Sequence, residues 1–221
     1  MEKGPLVLLF AVKSEASFFR VPPHLVDRVT ILYTGIGRER ALKSMERVLE
    51  LRPRLVISSG FAGAIVPDLK AGLVVHNADC SEVFRKIFRS ISVRGAAFCC
   101  VDYIVNTPET KQYLAGMLSG EIVEMESGEI LKSCKENGID AVAVRVILDE
   151  YNERIPDAVS RFVAADGSII FSRLILETLK NPGLPVELYK WWLRSRLSAK
   201  ALAEKLHLFF GKYCDLAVND L

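Results

Sequence analysis

The stretch Ile122–Ser127 reads IVEMES. Val123 and Met125 alternate with Glu124 and Glu126, the period of a strand, and the run opens into Ser127–Lys135, which has the spacing of a helix. Two carboxylates one residue apart at a strand's end point to opposite faces. One is then free to be structural while the other faces a pocket. A carboxylate aimed into a pocket suits a vicinal diol, because it accepts from two hydroxyls at once. Alone, the same pattern also describes a solvated strand end followed by a helix with favourable negative charge in its first turn.

Working outward, buried strands alternate with helical stretches, the pattern of an α/β sheet. Pro5–Val12 is a continuous apolar run that meets a polar cluster at Lys13, Ser14 and Glu15, the strand end where such sheets place their sites. Val29–Tyr33 is a second strand; Thr34-Gly35-Ile36-Gly37 then turns into a helix over Arg38–Leu51. Leu55–Ser58 is a third strand, and Ser59–Ala64 (SGFAGA) reads as a glycine loop that lets backbone approach a ligand. A turn at Pro67–Gly72 precedes a strand at Leu73–His76. Asn77–Arg94, with Arg85, Lys86, Arg89 and Arg94, reads as a solvated helix. A helix starts at Thr107-Pro108. Gly120–Met125 and Ala141–Leu148 are strands around the helix Ser127–Asn137, which Gly138 ends. Asp149 then stands at a strand's carboxyl end. From Asn152 the pattern is helical, with a turn at Ala164–Gly167 and an amphipathic helix at Ile169–Lys180.

The 221 residues suit one α/β domain with a sizeable core, half of them hydrophobic and a quarter charged. The net charge of +2 makes no whole-chain case for nucleic acid. Its distribution is uneven: Phe171–Tyr213 holds eight Lys or Arg against three Glu. Within Leu184–Tyr213, residues Leu202, Leu206, Phe209, Phe210 and Tyr213 share one helical face beside Trp191-Trp192 and cations such as Lys190 and Arg196. That combination fits a membrane surface or an acidic partner, and equally core or dimer packing. Five cysteines without CxxC spacing read as reduced thiols of a cytoplasmic protein rather than a disulfide framework or zinc site.

VEMES resembles the VEMEA motif of the purine nucleoside phosphorylase and nucleosidase superfamily. Ala11–Glu15 (AVKSE), Thr34–Gly37 (TGIG) with Ser59–Gly63 (SGFAG), and Arg145–Asp149 (RVILD) resemble three further motifs of that family in the same order. The likeness spans about residues 6–152, and within it PDLKAGLVV resembles the family's loop and following strand. The group it most resembles is the hopanoid-associated phosphorylase-like proteins, proposed adenosylhopane nucleosidases.

The resemblance implies a three-layer fold with a central mixed, partly barrel-like sheet flanked by helices. Residues 1–180 would form the nucleosidase-like α/β domain and residues 181–221 a basic amphipathic helical extension of it. It implies that Glu15 activates a water and that Asp149 protonates the departing purine, a step that suits a carboxyl of raised pKa. Glu126 would bind the ribose hydroxyls with Glu124 beside it, and Met125 would pack on the sugar. Phe61, Ala62 and Gly63 would line the sugar end, and Ile104 and Val105 the purine. No metal or organic cofactor is implied. A small nucleoside is the expected partner, with contact to a membrane through the C-terminal segment and assembly as a homodimer.

Three departures bear on the chemistry. Family phosphorylases have an Arg where this chain has Ser58, and a GDP-x-R loop that is absent here. Phe61 replaces a Ser that touches ribose, and Leu148 replaces a Ser before Asp149. Losing the cations disfavours phosphate as nucleophile, so the expected activity is hydrolysis of an adenine nucleoside with an apolar 5′ group. A phosphorylase, and an idle nucleoside-binding or membrane-surface protein, are the alternatives.

Overall fold

The computed structural model describes residues 4–156 and 183–219. Eight strands form one mixed sheet: β1 (Leu6–Phe10), β2 (Val29–Tyr33), β3 (Leu55–Ala64), β4 (Val74–Asn77), β5 (Arg94–Ala96), β6 (Phe98–Cys100), β7 (Ile122–Glu124) and β8 (Asp140–Asp149). Their order is β2-β1-β3-β8-β4-β5, with β7 joined to the far end of β3 and β6 joined to β7. Only β4–β8 and β3–β7 are antiparallel. The sheet stays open rather than closing into a barrel, and β3 is its hub, paired with β1, β8 and β7.

Alternation along β1 divides the core in two. Leu6, Leu8 and Phe10 face one side with Leu55, Ile57 and Val144; Val7 and Leu9 face the other with Val56. The Val7 side is covered by α1 (Arg38–Glu50), through Ala41, Met45 and Val48, and by α4 (Ser127–Glu136), through Ile130 and Cys134. The opposite side is covered by α2 (Glu82–Ser90) and by the long α5 (Leu184–Asn219). Helix α3 (Pro108–Met117) starts with Thr107 as N-cap, its hydroxyl accepting from Thr110 N at 3.2 Å. Gly138 takes φ +66° just past α4, a conformation open to glycine.

Two expectations change. The segment 77–94 is not a wholly solvated helix, because Phe84, Ile87 and Phe88 of α2 are buried in the main core. The stripe Leu202, Leu206, Phe209 and Phe210 is also buried, no residue more than 1% exposed. Phe209 stacks on Phe88 with ring centroids 4.9 Å apart. At roughly 1.5–3 kcal/mol per buried side chain, packing on the sheet outweighs any gain at a lipid boundary. That stripe holds the domain together and is closed to a membrane. No helix among the described residues is long and apolar enough to cross one. The turn at Ala164–Gly167 and the helix at Ile169–Lys180 lie outside the described residues.

Candidate active site

The stretch expected to be a glycine loop, Ser59–Ala64, is the second half of strand β3. Its glycines serve by lacking a side chain. A Cβ on Gly60 would lie 2.6 Å from Glu15 Oε1, and one on Gly63 would lie 2.8 Å from Asp149 Oδ2. Each glycine therefore leaves a niche that a carboxylate fills. Gly63 also pairs with Val123 of β7, so β3 brings the three motifs side by side.

Glu15 sits in the turn after β1 and is buried. Its Oε2 accepts from Ala11 N (2.8 Å) and Val12 N (3.1 Å), and its Oε1 from Phe61 N (2.9 Å). Burial raises its pKa against the pull of these N–H groups and of Arg145. Asp149 ends β8 beside an irregularity: Ala62 pairs with Ile147 and Gly63 with Asp149, so Leu148 is skipped. A bulge of this kind re-aims the next side chain, here into the Gly63 niche. Burial pushes the Asp149 carboxyl up to about 6, although the ammonium of Lys111 opposes the rise. Lys111 is itself buried, on α3, and ion-paired with Asp149.

The two glutamates of VEMES part company. Glu124 Oε2 accepts from Arg145 Nη2 (2.6 Å), Ser127 N (2.7 Å) and Glu126 N (3.1 Å). Burial alone would raise its pKa, but the Arg145 guanidinium and the Ser127 amide outweigh burial and leave it lowered. Glu124, expected to bind substrate, also anchors Arg145 and the start of α4. Glu126 Oε1 accepts from Gly37 N at 2.8 Å, where Gly37 has φ +96°. The second glycine of TGIG therefore holds Glu126. Burial pushes the Glu126 carboxyl up to about 7, with Arg145 opposing.

Arg145 went unmarked as a site residue, although one arginine inside the apolar run AVAVRVIL is a visible anomaly. Its side chain is 1% exposed, and it also donates to Ser58 O (2.9 Å) and Ser58 Oγ (3.2 Å). Ser58, where phosphorylases have an arginine, thus supports the arginine of the neighbouring strand.

All ten residues expected at the site line one cavity of about 670 Å³: Glu15, Phe61, Ala62, Gly63, Ile104, Val105, Glu124, Met125, Glu126 and Asp149. Leu188, Tyr189, Trp191 and Trp192 of α5 line it too, an apolar wall that the spacing of α5 did not assign to the pocket. No Lys or Arg lines the cavity among the described residues. His76 lies elsewhere, buried and stacked on Phe88 at 4.5 Å.

Residues 75–179 match the family model described as the phosphorylase superfamily. The match covers 105 of the 221 residues, just under half of the chain, and the likeness over the rest rests on the fold. Among solved structures, futalosine hydrolase of Helicobacter pylori strain 26695 aligns with TM-score 0.68 at 15% identity, over 95% of this chain and 98% of its own. The Helicobacter pylori 5′-methylthioadenosine/S-adenosyl homocysteine nucleosidase aligns with TM-score 0.67 at 16% identity, over 96% and 100%. The S-adenosylhomocysteine nucleosidase of Streptococcus pyogenes, in complex with 5-methylthiotubericidin, aligns with TM-score 0.65 at 15% identity, over 95% and 97%. At these identities the likeness is one of fold. No curated protein matches the sequence.

Proposed function

We propose that the protein hydrolyses the N-glycosidic bond of an adenine nucleoside carrying an apolar 5′ substituent, adenosylhopane among the candidates. Glu15 takes a proton from water as it attacks the anomeric carbon. Glu126 accepts from the ribose hydroxyls, and Met125 packs on the sugar. Asp149 gives its proton to the purine, so the base leaves neutral. The observation that carries hydrolysis over phosphorolysis is the cavity wall: carboxylates line it, and no Lys or Arg does among the described residues. The buried cations beside the cavity are already occupied, Arg145 by Glu124 and Ser58 and Lys111 by Asp149. A phosphate dianion there would face carboxylates with no cation in contact, a costly burial.

The test is base release from adenosine and 5′-alkylthio analogues, with and without phosphate. Free ribose product at equal rates in both is expected. Ribose 1-phosphate formed only with phosphate would replace this reading with a phosphorylase. The apolar α5 wall supports the 5′ assignment, so longer alkyl substituents should lower KM.

The reading extends to contact with a lipid surface, through residues other than the buried stripe. Tyr103 (51% exposed), Ile104 (39%), Tyr189 (60%) and Trp192 (50%) are apolar groups that both line the cavity and meet solvent. Exposed Arg196 lies 5.0 Å from the Trp192 ring, and Lys190 is exposed nearby. Cations of this kind contribute about 1 kcal/mol each at an anionic surface. Flotation with liposomes containing anionic lipid should recover the protein at low salt, and Trp192→Ser with Tyr189→Ser should reduce recovery at least fivefold. No flotation of the wild type would remove membrane contact from the reading. Assembly as a homodimer is proposed on the sequence resemblance, and a cytoplasmic location on the reading of the cysteines as reduced thiols.

A further inference from the structure

Lys111 is an unusual lysine. Its side chain is 0% exposed, and an ammonium is tolerated at such a position only when its donors are met. Nζ donates to the carbonyls of Glu150 (2.5 Å) and Glu153 (3.0 Å) and ion-pairs with Asp149 Oδ2. The ammonium thus lies among three oxygens.

We infer that Lys111 is a positioning residue for Asp149: its buried amine aims the carboxyl at the departing base and sets how readily that carboxyl yields its proton. The inference rests on the reading of Asp149 as general acid given above. In that step the Asp149 O–H bond breaks and a purine N–H bond forms. The glycosidic C–N bond breaks with its electron pair going to the purine. The carboxylate left behind lies against Lys111, whose charge stabilises it. A carboxyl deprived of that charge is a weaker acid, because burial then acts on it alone. Other charged groups act on Asp149 from the elements around it. Glu153, in the segment after β8, raises its proton affinity, and Arg194 of α5, ion-paired with Glu153, lowers it. Glu150 is turned away, paired with Lys70 and Ala71 N. Lys111 is the cation in contact with Asp149.

The sign of the pH effect follows. Asp149 must be protonated to act, so turnover falls as pH rises through its pKa. Lys111 lowers that pKa; removing the ammonium raises it and moves the alkaline limb upward. For Lys111→Met and Lys111→Gln we expect kcat on the acid plateau to fall at least tenfold and the alkaline limb to move up by at least one pH unit. KM should change less than threefold. A lysine that merely fastens α3 to the segment after β8 would lower Tm and leave the limb in place, and that outcome overturns the inference. Should neither variant fold, the ¹⁵Nζ resonance of Lys111 is compared between wild type and Asp149→Asn. A clear displacement is expected, and an unmoved resonance overturns the inference. The two readings fail separately: wild-type turnover in Asp149→Asn would remove the general acid itself. An inactive Asp149→Asn with an unmoved limb in the Lys111 variants would remove only the role of Lys111.

Discussion

Asp149→Asn and Glu15→Gln should each lose at least a hundredfold in turnover while still folding. Loss of a general acid or base removes about 10²–10⁴-fold. The stability side follows from burial. Asp149 is raised to about 6 from an ordinary value of 3.8. A carboxylate whose folded pKa lies above its unfolded pKa contributes most to stability at acid pH. That contribution is lost as pH climbs through the folded value. At pH 8 the ionised Asp149 is therefore a burden of up to about 3 kcal/mol, taking 1.36 kcal/mol per pKa unit. An amide of the same shape removes that ionisation but leaves the buried Lys111 ammonium without its counter-ion, so Asp149→Asn should lack the fall in Tm that the wild type shows between pH 5 and pH 8. Calorimetry at both pH values beside base-release rates checks the pair of effects. Near wild-type turnover in either variant would take that residue out of the mechanism.

The second large effect is one of folding. Arg145 lies 1% exposed among Glu124, Glu126, Glu15 and Ser58. Removing one partner of a buried ion pair typically costs ~3–5 kcal/mol, because the other charge stays buried and uncompensated. Arg145→Met should therefore lower stability by about that amount in urea titration. The double variant Arg145→Met/Glu124→Gln, which leaves no orphan charge between the two, should recover a good part of it. Single and double variants equally unstable would mean that the guanidinium supports the core by packing alone. The single variant should also lose activity if it folds, since Arg145 draws both Glu15 and Glu126 towards their ionised forms.

Much of this architecture was readable before any coordinates. Val29–Tyr33 carries the β-branched and aromatic signature of a strand, and Arg38–Glu50 the apolar spacing of a helix; the structure places both where they were expected. Local chemistry declares itself locally: Thr107-Pro108 announces a helix start, and Gly138 announces an end. The misreadings share another cause. Ser59–Ala64 looks like a loop because glycine disfavours strands, but this strand tolerates two glycines since buried carboxylates occupy the missing volume. The skip at Leu148 and the pairing of Lys111 with Asp149 depend on partners 38 to 85 residues away, which no window of sequence contains. The stripe of α5 was correctly seen as apolar, but an apolar stripe does not say whether it meets lipid or its own sheet.

The two glycine niches of β3 have a further consequence. They lie three residues apart on a continuous strand, and extended chain advances about 3.3 Å per residue. The interval of roughly 10 Å between them is thus a length of peptide, as invariant as the bonds that make it. The spacing between the Glu15 and Asp149 niches is therefore set by β3 itself and not by the loops or α5 around the mouth of the cavity.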